Sequence, residues 1–146
     1  MNTIVSKRFF SENVAEIVVE APLIARSRRA GHFVIVRVDK NGERMPLTIA
    51  DANVEKGTIT LVVQRIGVSS SKLCALEPGD QVADLVGPLG KATDIKNFGT
   101  VVCACGGVGA APMMPIAKAL KASGNGIGSS HSGVDYTQRA IGSRIR

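Results

Sequence analysis

Thr100-Val101-Val102-Cys103-Ala104-Cys105-Gly106-Gly107-Val108-Gly109-Ala110-Ala111-Pro112-Met113 joins an apolar run, a glycine cluster and a helix start in one short stretch. A run without alternation suits a strand buried on both faces of a parallel sheet. The glycines let backbone approach a phosphate, and a helix N-terminus supplies free N–H groups and the positive end of a dipole. Pro112 fits an opening turn. Met113, Ile116, Ala117 and Leu120 recur at helical spacing as one apolar stripe, with Lys118 and Lys121 off it. Strand, glycine loop and helix make the first half of a βαβ unit, placed at 98–122. The third position of Gly107-x-Gly109-x-x-Pro112 is Pro, so the pattern departs from the usual dinucleotide fingerprint. A glycine turn that only packs a helix on a strand reads the motif equally well.

Upstream, residues 1–92 read as β. Glu16, Val18 and Glu20 alternate with Ile17, Val19 and Ala21, the period of a half-buried strand. Further strands are expected at Phe33–Val38, Pro46–Ala50, Thr58–Ile66 and Gln81–Val86, with a turn signal at Asn41-Gly42. Ser69-Ser70-Ser71 opens a short helix with a serine as cap. Gly87-Pro88-Leu89-Gly90 reads as a turn and hinge between domains. The expected fold is mainly β: a six-stranded antiparallel barrel followed by an incomplete α/β nucleotide-binding domain.

Downstream, a βαβ unit needs a second apolar strand. Residues 123–146 offer Gly or Ser at 10 of 24 positions, so this segment is expected to pack poorly. A frameshifted or truncated end explains that composition better than a native flexible tail.

Composition narrows the function. The chain has 146 residues, is 45% hydrophobic and 21% charged, and has a mean hydropathy of +0.16, which is a globular balance. No apolar run is long enough to span a membrane, and the N-terminus carries no signal pattern, so a cytoplasmic protein without membrane insertion is expected. The net charge of +6 invites a nucleic-acid reading, but aromatics are only 3% and the basic residues are dispersed. A flavin or nucleotide diphosphate uses positive charge equally well. Cys74, Cys103 and Cys105 lack metal-site spacing and read as buried residues, so no metal ligand set is expected. Neither His32 nor His131 has a partner at catalytic spacing, and no side chain stands out as a general acid or base. The basic cluster Arg26, Arg28 and Arg29 reads as a solvated loop.

Two further segments suit an anion. Arg44-Met45-Pro46-Leu47-Thr48 enters a strand; an arginine fork can pair a diphosphate, and Thr48 offers a hydroxyl to a heterocycle edge. A solvated edge charge is the plainer reading of that arginine. Gly67-Val68-Ser69-Ser70-Ser71 places N–H groups and hydroxyls at a helix start, as a phosphate loop or an ordinary cap.

Taken in order, these residues resemble the flavin-binding subunits of the ferredoxin–NADP reductase superfamily. The branch they point to holds the sulfide dehydrogenase small subunit, the ferredoxin–NADP oxidoreductase alpha subunit and the dihydroorotate dehydrogenase electron-transfer subunit. The carrying segments are Ala30–Val34, Glu43–Asp51, Gly79-Asp80 with Gly87–Gly90, and Gly106–Met113. The resemblance implies an FAD-binding barrel at 1–92. Arg44, Pro46, Leu47 and Thr48 match the flavin motif; Val63, Gln64, Ser69 and Ser70 match a second flavin segment. Gly106, Gly107, Val108 and Gly109 match the nicotinamide diphosphate loop, which keeps NAD(P) open as a second cofactor. It further implies electron transfer between NAD(P)H and a ferredoxin, iron–sulfur or flavoprotein partner, in complex with a larger flavoprotein/iron–sulfur subunit. The group ordinarily carries [2Fe-2S] cysteines; here no cysteine follows Cys105, so those ligands are absent. A non-catalytic β-barrel module binding an anionic ligand or partner is the competing function class.

Overall fold

The computed structural model describes residues 2–132. Its strands are β1 (Asn2–Ser11), β2 (Val14–Glu20), β3 (Phe33–Arg37), β4 (Met45–Asn53), β5 (Thr58–Gln64), β6 (Gln81–Val82), β7 (Asp84–Leu89), β8 (Thr100–Gly106) and β9 (Gly126–Ser132). Helices α1 (Pro22–Ser27), α2 (Val68–Ala75) and α3 (Ala110–Ala122) are interspersed.

The first seven strands form one antiparallel sheet in the order β6-β1-β2-β5-β4-β3-β7. Its two edge strands, β6 and β7, are separated in sequence only by Ala83, whose N–H donates to the Val38 carbonyl at 3.1 Å. A chain that leaves one edge and joins the other within one residue holds those edges together, so the sheet curls into a nearly closed barrel. Six barrel strands are expected from sequence, five of them with placed ranges, and seven are found: β1 (Asn2–Ser11) adds one, and Gln81–Val86 breaks at Ala83 to serve both edges.

The alternation in β2 acts as read. Ile17, Val19 and Ala21 are buried, and Ile17 and Val19 stand opposite Leu61 and Ile59 of β5. Ile4, Val34, Val36, Ile49 and Leu73 join them in one core. Each such side chain contributes about 1.5–3 kcal/mol by leaving water. Gly87, expected in a turn, lies inside β7. A Cβ there would meet Val34 Cγ1 at 2.7 Å, so only glycine lets β7 come this close to β3.

Cys74 sits in this core, and burial pushes its thiol up. Cys103 is buried and Cys105 half-buried. In the folded chain iodoacetamide is expected to label Cys105 first and to spare Cys74 until the barrel unfolds. A mass-spectrometric time course checks the order; early labelling of Cys74 contradicts it.

Beyond the barrel, β8 and β9 pair in parallel from Thr100↔Gly126 to Gly106↔Ser132, with α3 as the crossover. This corrects the expected absence of a second strand: Gly126–Ser132 supplies it from within the segment read as an aberrant tail. Residues 133–146, the rest of that segment, lie outside the described residues. The expected double burial of β8 also needs correction. Cys103 is buried, but Val102 on the other face is 69% exposed, since α3 covers one side only. The apolar stripe of α3 is rotated as well. Ala110, Ala111, Met114, Ala117 and Leu120 are buried, while Met113 and Ile116 are half-exposed. The helix packs on β4 of the barrel as well as on β8, and the shared seam selects its small residues.

Candidate functional site

Arg44 immediately precedes β4, and Ser69 lies in the first turn of α2. The Ser69 hydroxyl donates to Glu43 Oε2 at 2.9 Å, which draws these two segments together. The residue capping α2 is Gly67 rather than a serine. Ser70 acts from inside the helix: its hydroxyl accepts from the N–H groups of Ile66 and Gly67, both at 3.0 Å, and donates to the Gly67 carbonyl. The N–H groups of Val68 and Ser69 stand in the first turn, where the helix offers no partner. A Cβ on Gly67 would meet nothing within 4 Å, so the space before this helix start is open.

Strands β4 and β5 run together and then part. Their ladder extends from Asn53↔Thr58 to Ile49↔Leu61 and ends there. Beyond it, Met45 to Thr48 pair with β3 instead, leaving a wedge between Pro46–Thr48 and Val62–Gln64. Pro46 contributes no N–H to either side. Val63 is buried in the core, whereas Gln64 is exposed. The Arg44 guanidinium is exposed and lies 3.4 Å from Asp84 of β7.

The glycine loop lies against β5, and the helix it leads into packs on β4. Gly107–Gly109 forms a single 3₁₀ turn leading into α3. Added Cβ atoms at Gly107 and Gly109 would also meet nothing within 4 Å. Behind the loop, Ala50 of β4 packs on Ala110, Ala111 and Met114, with Val62 of β5 and Cys105 of β8 against them. The two strands that carry the wedge therefore also carry the second domain. Among the described residues no three His, Cys, Asp or Glu side chains gather as a metal site, and no helix is long and apolar enough to cross a membrane.

Two groups escaped the sequence reading. Asn125 is buried at the turn from α3 to β9. Its Oδ1 accepts from Phe98 N–H at 2.6 Å, and its Nδ2 donates to the carbonyls of Lys96 and Leu120, both at 2.9 Å. The signal was Gly124, with φ +89, just past the helix and donating to the Lys121 carbonyl: a helix stop placed where the chain turns back. Asp51 lies between Arg28 at 3.6 Å and Lys118 at 3.8 Å, linking the loop after α1 to α3.

No family model matches the chain. It is 42% identical over 127 residues to the dihydroorotate dehydrogenase B (NAD(+)) electron transfer subunit homolog of Thermotoga maritima, covering 87% of this chain and 45% of that protein. Among solved structures, the NADH-dependent reduced ferredoxin-NADP oxidoreductase superposes with a TM-score of 0.89 at 40% identity, covering 93% of this chain and 50% of that one. The Amycolatopsis cytochrome P450 reductase shares the fold at a TM-score of 0.75 and 23% identity, over 92% of this chain and 44% of its own. The chain thus spans about half the length of the relatives it matches. The nearly closed barrel, the parallel pair β8–β9 behind it and these likenesses agree: the chain is homologous to the dihydroorotate dehydrogenase B electron-transfer subunits and shares the fold of the ferredoxin–NADP reductase superfamily.

Proposed function

We propose that this chain is the FAD-binding part of an electron-transfer subunit, taking reducing equivalents from NAD(P)H toward a ferredoxin, iron–sulfur or flavoprotein partner. The observation that carries the reading is the convergence of three segments on β4 and β5: the Arg44 strand entry, the open start of α2 and the glycine turn ahead of α3. The residues present fit an FAD. Arg44 and the first-turn N–H groups of Val68 and Ser69 supply positive character for a diphosphate. The wedge lined by Pro46, Leu47, Thr48, Val63 and Gln64 offers backbone and hydroxyl groups to a ring edge. Ser70 supports this site by holding the turn before α2.

Gly106, Gly107, Val108 and Gly109 would hold the diphosphate of NAD(P). The flavin, when bound, supplies the redox chemistry; the chain binds, orients and shields it. No side chain of the site is assigned a proton-transfer role. A larger subunit carrying flavin or iron–sulfur centres is the partner class this reading requires.

Titrating apo-protein with FAD tests the assignment. Arg44→Ala is expected to weaken FAD by about 1.5–3 kcal/mol, the range for a charge-assisted hydrogen bond, or about 10- to 150-fold in Kd. Equal dissociation constants for variant and parent remove Arg44 from the site. Failure of the parent chain to take up FAD favours the non-catalytic barrel module.

A further inference from the structure

The seam between barrel and second domain has another side. Two contiguous recesses of about 450 and 680 Å³ share Arg29, Ala30 and Ala119. Arg26, Arg28, Arg29 and Lys118 line the smaller recess and Lys91 the larger, against only two carboxylates. Asp51 is held by Arg28 and Lys118, and Asp94 by Lys96. Among the described residues Arg26, Arg29 and Lys91 have no ion-pair partner. Ala25, Ala30, Ala52 and Ala119 make a floor with little side-chain bulk, so the long cationic side chains are free to converge over it.

We propose that this recess binds a small oligophosphate anion, held between the arginines at and just beyond the end of α1 (Arg26, Arg28 and Arg29) and the lysines of α3 and the 91–95 segment. Guanidinium forks match phosphate oxygens two at a time, and three arginines within four positions present several such forks. A concavity of this volume suits a small ligand better than a flat protein face. The site is separate from the glycine turn: Ala119 lies nine residues along α3 from Ala110, about 13 Å at 1.5 Å per residue. Because its cations come from both sides of the seam, a bound anion would tie α3 to the barrel. None of these residues belongs to the FAD assignment, so this inference stands or falls apart from it.

Isothermal titration of the chain in excess FAD, with inorganic tripolyphosphate in 50 mM and then 150 mM salt, tests the site. One saturable site is expected, with Kd weakened at least tenfold in Arg26→Ala/Arg29→Ala. Arg8→Ala/Lys40→Ala removes the same charge elsewhere and is expected to change Kd less than twofold. A parallel titration compares ADP with pyrophosphate. Tighter ADP binding identifies a nucleotide as the source, and equal binding identifies the bare phosphate chain; both support the site. Three results overturn it: no saturable binding in 50 mM salt, equal weakening in the two double variants, or loss of binding in Arg44→Ala, which would move the anion to the flavin segment.

Discussion

Mixed with excess NADH, the FAD-loaded 146-residue chain is expected to bleach its flavin band at least about 100-fold more slowly than a full-length relative. Hydride transfer needs the reacting atoms about 3–3.5 Å apart, and a 1 Å misplacement costs about 100-fold. The chain's means of positioning are few. The glycine turn at Gly107–Gly109 can hold a diphosphate, but Gly126–Ser132 contains no Asp or Glu to receive a ribose hydroxyl at the end of the second strand. Among the described residues the second sheet has only β8 and β9. Val102 and Phe98 remain 69% and 53% exposed, so the side of this small sheet away from α3 stays uncovered. Stopped-flow absorbance decides the matter, and bleaching within milliseconds by the isolated chain would refute the prediction.

Asn125→Ala is expected to loosen the second domain by about 3 kcal/mol, or about 100-fold in its opening equilibrium, and to leave the barrel unchanged. The variant strands the Phe98 N–H and the Lys96 and Leu120 carbonyls at a buried turn, where each unpaired group costs about 1–3 kcal/mol. The seam cluster around Met114 is distinct from the barrel core around Ile17 and Leu61, so the two regions can open separately. Amide exchange reads the effect: Phe98 and Gly126 should lose protection while Ile17 and Leu61 keep theirs. Unchanged exchange at Phe98, or an equal loss in β2 and β5, would show that Asn125 does not staple this domain.

The barrel was largely legible because its information is local. Inward and outward residues alternate in β2, and Asn41-Gly42 marks the reversal between β3 and β4, whereas Gly87-Pro88 lies inside β7. The segments at Arg44 and Gly67 were legible as motifs suited to an anion, but nothing in their order says that Ser69 and Glu43 share a hydrogen bond. The short alternating pattern of Gln81–Val86 does not say that one stretch serves two sheet edges; the curl of the whole sheet decides it. Half of the expected stripe on α3 differs for a similar reason: Ala117 and Leu120 are buried as expected, but Met114 is buried in place of Met113, and Ile116 is half-exposed. Spacing reveals that a helix has an apolar side, but the seam with Ala50 and Cys105 chooses which small residues face inward.

The clearest divergence is at Gly126–Ser132. Its composition argues against a strand, and side chains are what composition counts. Parallel pairing with β8 engages backbone groups, which glycine and serine carry as well as valine does. Sequence alone therefore determined the barrel's alternating interior and the glycine turn between β8 and α3. Tertiary structure decided the sites made of distant residues: the wedge where β4 leaves β5, the Asn125 staple, and the basic recess that Arg26, Arg29, Lys91 and Lys118 form across the seam. These depend on distances between residues far apart in the chain, which are set only when the barrel closes and α3 packs against it.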